Sequence, residues 1–181
     1  MKRLTARLAA LLFGLLVGVA ALEIGLRVIG WSAPRLTTHD PNRGKAYRPG
    51  IRWHQAEEGE ADIIINRWGF RDREWTLVKP PGTVRVALLG DSFVDGLQVP
   101  IDSTWAREAE RRLNACHAFG DSTVEVMNFG VSGYGTAQEL QTLRHDVHRF
   151  APDIVVLSFL PGNDVRDNGV RLRRDPGRPY F

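Results

Sequence analysis

The chain has 181 residues, of which 43% are hydrophobic and 25% are charged, the composition of an ordinary globular protein. Its formal net charge is only +3 and its arginines are scattered from Arg3 to Arg178, so the pattern does not favour nucleic-acid binding. Cys116 is the single cysteine, which excludes an intrachain disulfide. About 150 residues follow the apolar N-terminus, enough for one domain with a hydrophobic core.

The first segment has the pattern of a membrane helix. Residues 8–22 contain neither charge nor proline, and Lys2, Arg3 and Arg7 precede them. Such a run is apolar on every face, which argues against the buried amphipathic helix of a soluble domain. We therefore predict a transmembrane helix over residues 4–26.

Two fates of this segment follow from the sequence. Residues 1–31 read as an uncleaved signal-anchor, because Glu23 and Arg27 have the spacing of an ion pair on a continuing helix. A signal peptide cleaved after Ala20 is the alternative, since small residues stand before that position. The basic N-terminus predicts in both cases that the chain after Trp31 lies on the non-cytoplasmic side, periplasmic or extracellular.

Residues 32–82 are rich in Pro, Gly, Arg and Trp, and we expect an extended lead-in region. Residues 63–65 form a short apolar stretch within it. Residues 66–72 look like a turn followed by a docked segment. The Pro-Pro-Gly sequence at residues 80–82 marks a break before the next element.

After that break, apolar strands and helices alternate, a pattern typical of an α/β domain with a buried parallel sheet. We expect Thr136 to cap the second helix, with Glu139 as its capping-box partner. Residues 161–181 show no helix or strand period. Three strands make a thin sheet, so the fold reads as incomplete. The predicted strands cover 84–89, 124–129 and 154–160, and the predicted helices cover 105–116 and 136–150.

Each predicted strand runs into a polar loop that contains glycine. These loops cover residues 90–96, 128–135 and 161–164. The carboxyl ends of parallel strands share one edge of a sheet, which is where α/β proteins bind ligands. The three loops are therefore expected to face one crevice.

The three loops resemble blocks I, II and III of the SGNH/GDSL hydrolases, in the family's order. The first has Gly90-Asp91-Ser92 with a glycine four residues after the serine, the second has Asn128 with Gly133, and the third is Gly-Asn-Asp at residues 162–164. The resemblance implies a flavodoxin-like three-layer α/β/α fold, here incomplete with about three parallel strands. Residues 83–181 would be the N-terminal part of that hydrolase domain.

The resemblance also implies roles for individual residues. Ser92 would be the nucleophile, and its N–H, the Gly133 N–H and the Asn163 amide would form an oxyanion hole. Asp91, next to Gly90, would brace the first loop, and Asp164 would orient the Asn163 turn. The chemistry agrees, since a serine needs a base and a tetrahedral intermediate needs donors aimed at its oxygen.

One part of the family's machinery is missing from the sequence. The family's catalytic base is a histidine in an Asp-x-x-His block near the C-terminus, and no such block follows Asp164. His145 and His148 could be taken for a substitute base or a metal pair, but they precede the third strand and their spacing from Asp146 is wrong. We expect no cofactor and no metal, and a truncated, inactive fragment.

The sequence leaves three functions to compare. The first is a membrane-anchored serine esterase or O-acyltransferase acting on acyl esters, acetyl esters above all, with envelope carbohydrate as the substrate that the family suggests. The second is a non-enzymatic envelope protein whose SGNH-like scaffold binds a glycan or a protein. The third, a nucleotide-binding flavodoxin-like domain, lacks a glycine-rich phosphate loop with lysine.

Overall fold

The computed structural model describes residues 2–29, 35–175 and 177–180. It divides into two compact units, residues 1–35 and residues 36–181. The first unit is one helix, α1 (Lys2–Val28). Its stretch Arg3–Val28 is long and apolar enough to cross a membrane and is not buried, although an N-terminal signal sequence has the same properties.

The second unit begins with two antiparallel hairpins in the lead-in region. Strands β1 (Thr37–Asp40) and β2 (Gly44–Tyr47) form the first, and β3 (Arg52–Gln55) and β4 (Ala61–Ile64) form the second. The apolar stretch of residues 63–65 thus lies at the end of β4. Because its side chains alternate between buried and exposed, Ala61 and Ile63 enter the core.

The three predicted long strands form one parallel sheet. Its order is β6-β5-β7, so β5 is the central strand. The carboxyl ends meet at one edge, where Leu88 pairs with Asn128 and Leu89 pairs with Leu157. The strands are β5 (Thr83–Leu89), β6 (Thr123–Asn128) and β7 (Ile154–Leu157).

The helices follow their strands, with small differences from the predicted bounds. They are α2 (Ser92–Asp95), α3 (Trp105–Ala115), α4 (Thr136–His145) and α5 (Asp164–Asp167). The second long helix ends at His145, five residues early, because a 3-10 turn follows over Val147–Phe150. The capping prediction was wrong: Gly135 is the N-cap residue, and the Thr136 hydroxyl is buried without a hydrogen bond in the described part of the chain.

The sheet has a hydrophobic layer on each face, as alternation along β5 requires. Val86 and Leu88 pack with Ala106 of α3 on one face. Ala87 and Leu89 pack on the other face with an aromatic group from the lead-in and the later loops. Phe70, Trp75, Phe129 and Phe150 make edge-on and stacked ring contacts there, with centroids 4.7 to 5.9 Å apart. The fold is thus the expected α/β arrangement around a three-stranded parallel sheet.

The lead-in region belongs to the same hydrophobic core. Ile63, Ile65 and Phe70 are at most 1% exposed and lie in one cluster with the β5 and β6 residues. The buried Arg85 of β5 also donates hydrogen bonds to Leu77 O and to Phe150 O. The division into a lead-in up to residue 82 and a hydrolase part after it stays a prediction.

The edge strand β7 leaves apolar side chains exposed to solvent. Val155, Val156 and Leu157 are 42%, 38% and 45% exposed, and Phe159 beyond the strand is 48% exposed. A sheet edge that presents apolar side chains and unpaired backbone groups tends to recruit other chains. Residues 36–181 are therefore expected to aggregate through this edge.

Placing lysine on the edge should reduce that aggregation. We expect residues 36–181 with Val156→Lys and Phe159→Lys to show several-fold less aggregate than the parent in light scattering, because edge charges oppose pairing. Val78→Lys is the matched control, since Val78 is 83% exposed but lies outside the sheet. Equal scattering from all three proteins would remove β7 as the cause.

Candidate active site

Ser92 lies at the carboxyl end of the central strand β5, as the first residue of α2. Asp91 caps this short helix, because its Oδ1 accepts a hydrogen bond of 3.0 Å from Phe93 N. The Ser92 side chain is half-buried. No residue in the described ranges hydrogen-bonds to its hydroxyl.

Blocks I and III are joined by one hydrogen bond. Asn163 Nδ2 donates to Asp91 Oδ2 at 2.5 Å. Asp164, which is fully buried, accepts a hydrogen bond of 2.6 Å from Leu160 N and so holds the turn that presents Asn163. An amide nitrogen carries two hydrogens, so one remains for another acceptor. The assigned roles of Asp91, Asn163 and Asp164 stay predictions.

Block II is packed directly against block I. Asn128 Nδ2 donates to Val94 O at 2.8 Å, and Asn128 Oδ1 accepts from Gly130 N at 2.9 Å. A Cβ on Gly130 would lie 2.6 Å from Asp95 N, and one on Gly90 would lie 2.3 Å from Val94 Cγ2. Only glycine at position 130 lets the backbone of block II approach that of block I this closely, and the missing side chain of Gly90 leaves room for the Val94 side chain within block I.

Asp95 connects the same two blocks and was not identified from the sequence. Its Oδ2 accepts hydrogen bonds from Ser132 N at 3.0 Å, from Ser132 Oγ at 2.6 Å and from the Tyr47 hydroxyl. The carboxyl is fully buried, and burial raises its pKa to about 6. Gly133, the expected oxyanion donor, follows Ser132 with a φ of +75° that favours glycine.

Glu139 of α4 is a second buried acid that the sequence did not assign to the site. It is 1% exposed, and neither carboxyl oxygen has a hydrogen-bond partner among the described residues. Burial raises its pKa to about 8, and the nearby charges of Asp164 and Asp91 contribute in the same direction. The sequence suggested only a helix-capping role, because its burial depends on how α4 packs on the sheet.

A cavity of about 350 Å³ opens beside the candidate nucleophile. Ser92 and Gly96 contribute to its lining together with apolar and aromatic side chains. Phe93, Val99 and Trp105 are the largest of these and remain partly accessible to solvent. The cavity therefore has a largely apolar wall beside Ser92.

None of the five histidines hydrogen-bonds to Ser92 within the described ranges. All five, His39, His54, His117, His145 and His148, are exposed. His54 contacts Asp62 at 2.9 Å on the β3-β4 hairpin. The imidazole side chains of His145 and His148, at the end of α4 and in the turn after it, have no hydrogen-bond partner in the part of the chain that the structure describes. This placement gives no support to a substitute base.

Replacing Glu139 should change how stability depends on pH. The pKa is about 8 in the folded protein and near 4.5 in the unfolded chain, so Glu139 lowers the free energy of unfolding progressively as pH rises between those values. Glu139→Gln is neutral at every pH. Its stability relative to the parent should therefore grow with pH, by roughly 1.4 kcal/mol per unit at most.

Urea unfolding of residues 36–181 with Val156→Lys and Phe159→Lys, the substitutions expected to keep the protein soluble, measures this difference at about pH 5 and about pH 8. Glu57→Gln is the control, because Glu57 is exposed in the loop between β3 and β4. A difference between Glu139→Gln and the parent that stays constant over this range would show that Glu139 does not titrate as described.

Comparison with known proteins agrees with this geometry. The sequence model of the GDSL-like Lipase/Acylhydrolase family matches residues 86–179, which contain all three loops and slightly more than half of the chain. A search of curated proteins found no match. The three-stranded sheet carries the candidate residues of this family at its carboxyl edge. The chain therefore belongs to the GDSL-like lipase/acylhydrolase family.

Proposed function

We propose that this chain carries the nucleophile and oxyanion loops of a serine esterase or O-acyltransferase of SGNH type, with Ser92 as the nucleophile. The observation that carries the proposal is the hydrogen bond from Asn163 to Asp91, the residue before Ser92. It brings two of the three loops together, and Asn128 and Asp95 attach the third. Membership of an acylhydrolase family supports ester chemistry.

The proposed reaction begins when Ser92 Oγ attacks the carbonyl carbon of an ester. The serine proton passes to a base, and the N–H groups of Ser92 and Gly133 and the Asn163 amide stabilise the oxyanion of the tetrahedral intermediate. When the intermediate collapses, the base returns the proton to the alcohol oxygen. The alcohol then leaves, and the acyl group remains on Ser92. Water then releases the acid in a hydrolase, whereas an acceptor hydroxyl takes the acyl group in a transferase.

The base is the component that the described residues do not supply. All five histidines are exposed, and none hydrogen-bonds to Ser92. We therefore propose that this chain is part of a longer protein whose Asp-x-x-His block completes the site. The chain alone would then be inactive or nearly inactive. The exposed apolar residues of β7 support this, because a further element would cover them.

The substrate is proposed to be a small acyl ester, acetyl above all. The cavity beside Ser92 has an apolar lining that includes Val99 and Trp105, and an acetyl methyl group would fit against it. We propose an envelope carbohydrate as the alcohol part of the ester, on the basis of the family resemblance and the N-terminal helix. We place the site on the non-cytoplasmic side, periplasmic or extracellular, because Lys2, Arg3 and Arg7 precede the apolar run.

A non-enzymatic role is the second candidate, and one observation favours it. The oxyanion loops are packed and hydrogen-bonded, yet the Ser92 hydroxyl has no partner within the described ranges. A scaffold that binds an ester or a glycan without cleaving it would need the loops and the cavity but no base. The two candidates differ in whether Ser92 reacts.

A supplied base should reveal that difference. We expect the whole chain in a non-ionic detergent to hydrolyse p-nitrophenyl acetate very slowly, and we expect imidazole to raise the rate more for the parent than for Ser92→Ala, whose rate reports imidazole's own reaction with the ester. General-base assistance is worth about 10²-fold or more when the base is well placed, so diffusing imidazole should recover a fraction of it. The measured quantity is the rate of the parent minus that of Ser92→Ala at each imidazole concentration.

Ser122→Ala is the control for this assay, because Ser122 lies in the loop before β6 and should behave as the parent. If the gene continues beyond the Phe181 codon into an Asp-x-x-His block, the longer protein should turn over without imidazole. Equal rates for the parent and Ser92→Ala under all these conditions would favour the binding scaffold.

The fate of the N-terminal helix has a direct test. An uncleaved anchor predicts that protein recovered from membranes keeps residues 1–20, because residues 4–26 hold it in the bilayer. Intact mass and N-terminal sequencing decide the matter. A soluble product that begins at Ala21 would show that the helix is a cleaved signal peptide.

A further inference from the structure

A second cavity, of about 140 Å³, is lined by the first hairpin, α4 and the C-terminal segment. Its lining contains four basic side chains from distant parts of the chain, Arg43 and Lys45 of the first hairpin and Arg173 and Arg178 of the C-terminal segment. Gln138 of α4 also contributes. Neither the esterase chemistry nor the family match uses these residues together.

Arg178 is the most unusual member of this set. Its side chain is only 3% exposed, and its Nε atom has no hydrogen-bond partner in the described part of the chain. Its Nη2 atom lies 3.4 Å from Asp167 Oδ2, an ion-pair contact but not a hydrogen bond. A buried guanidinium normally has its donors paired, because burial of an unpaired charge is costly.

The acidic residues nearby do not balance the basic ones. Asp167 is shared among three arginines, at 2.8 Å from Arg166, 2.9 Å from Arg173 and 3.4 Å from Arg178. Among the described residues, Asp175 is the one carboxylate in the lining of the cavity, against four basic side chains. The cavity therefore keeps an excess of positive charge.

Lys45 adds to this excess. Its ammonium donates to Ser132 O at 2.8 Å, and no carboxylate lies within ion-pair distance among the described residues. Burial lowers the Lys45 pKa, and the positive charges of Arg178 and Arg173 lower it further, while Asp175 and Asp95 have a smaller opposite effect. Arg43, in contrast, is satisfied by Asp40 at 2.7 Å and Asp146 at 3.0 Å.

We propose that this cavity binds a small oxyanion, a carboxylate or phosphate group, held by Lys45, Arg173 and Arg178. An oxyanion in the cavity would accept hydrogen bonds from the Lys45 ammonium and from the guanidinium groups that line it, and it would offset the positive charge of Arg178, which has only one weak ion-pair contact. The volume suits a group of this size.

The site lies next to the candidate oxyanion loop but does not depend on catalysis. Lys45 Nζ is 3.1 Å from the position that a Cβ on Gly133 would take, and Arg178 Nη2 is 3.1 Å from that of Gly135. An anion bound here would therefore contact the residues that shape block II. Its binding can be measured whether or not Ser92 reacts.

Titration of the whole chain in a non-ionic detergent tests the proposal, with inorganic phosphate and acetate as probes at constant ionic strength. We expect saturable calorimetric binding of at least one probe. Arg178→Gln and Lys45→Gln should each weaken it about tenfold or more, because each removes a charged donor. Tighter binding of phosphate would identify a phosphate site, and tighter binding of acetate a carboxylate site.

Two controls separate the site from other effects. Arg174→Gln removes an exposed arginine of the same segment and should bind as the parent does, and Ser92→Ala should also bind unchanged. Circular dichroism checks the fold of each variant, and Lys45→Gln, which is less buried, stands in if Arg178→Gln unfolds. No saturable binding of either probe, or equal binding by both site variants and the parent, would overturn the proposal.

Discussion

The carboxylate of Asp72 is almost fully buried and receives hydrogen-bond donors from three parts of the chain. Asn128 N donates to its Oδ2 at 2.8 Å, Trp75 Nε1 at 3.2 Å and an Arg107 guanidinium nitrogen at 3.3 Å. Burial still raises its pKa to about 7. Since an unpaired buried carboxylate would be strongly destabilising, these donors must stay in place, and the end of β6 is fixed to the lead-in. Arg71, the preceding residue, donates to Asp95 O at 3.0 Å and fixes the loop after Ser92 in the same way.

The site therefore depends on residues that lie before the family match. Arg71, Asp72 and Tyr47 all precede residue 86, yet each contacts block I or block II. The lead-in region was expected to be a connection with a docked segment, and its Asn66 turn does form, with Trp68 N and Phe70 N donating to Asn66 Oδ1. The polar residues of the lead-in region hydrogen-bond to blocks I and II, while its apolar residues pack in the core.

Features that depend on neighbouring residues could be predicted from the sequence, whereas contacts between residues far apart in the chain could not. The strands and the turns at their ends follow from local apolar runs and from glycine, so β5, β6 and the Gly90-Asp91-Ser92 loop were predicted close to their observed bounds. Asp95 was missed because its three donors come from Ser132 and from Tyr47, which are 37 and 48 positions away. Strand β7 was predicted three residues too long, since an apolar run does not show where pairing with β5 ends.

Two charged side chains hold the backbone on either side of Ser132, next to the candidate oxyanion donor Gly133. Asp95 accepts from Ser132 N–H, and Lys45 donates to Ser132 C=O. That carbonyl shares one planar, trans peptide unit with the Gly133 N–H, so the two groups point in opposite directions. Lys45 therefore holds the Gly133 N–H on the side away from the basic cavity. A donor oriented before substrate arrives needs no reorganisation during the reaction, which is the condition for an effective oxyanion hole.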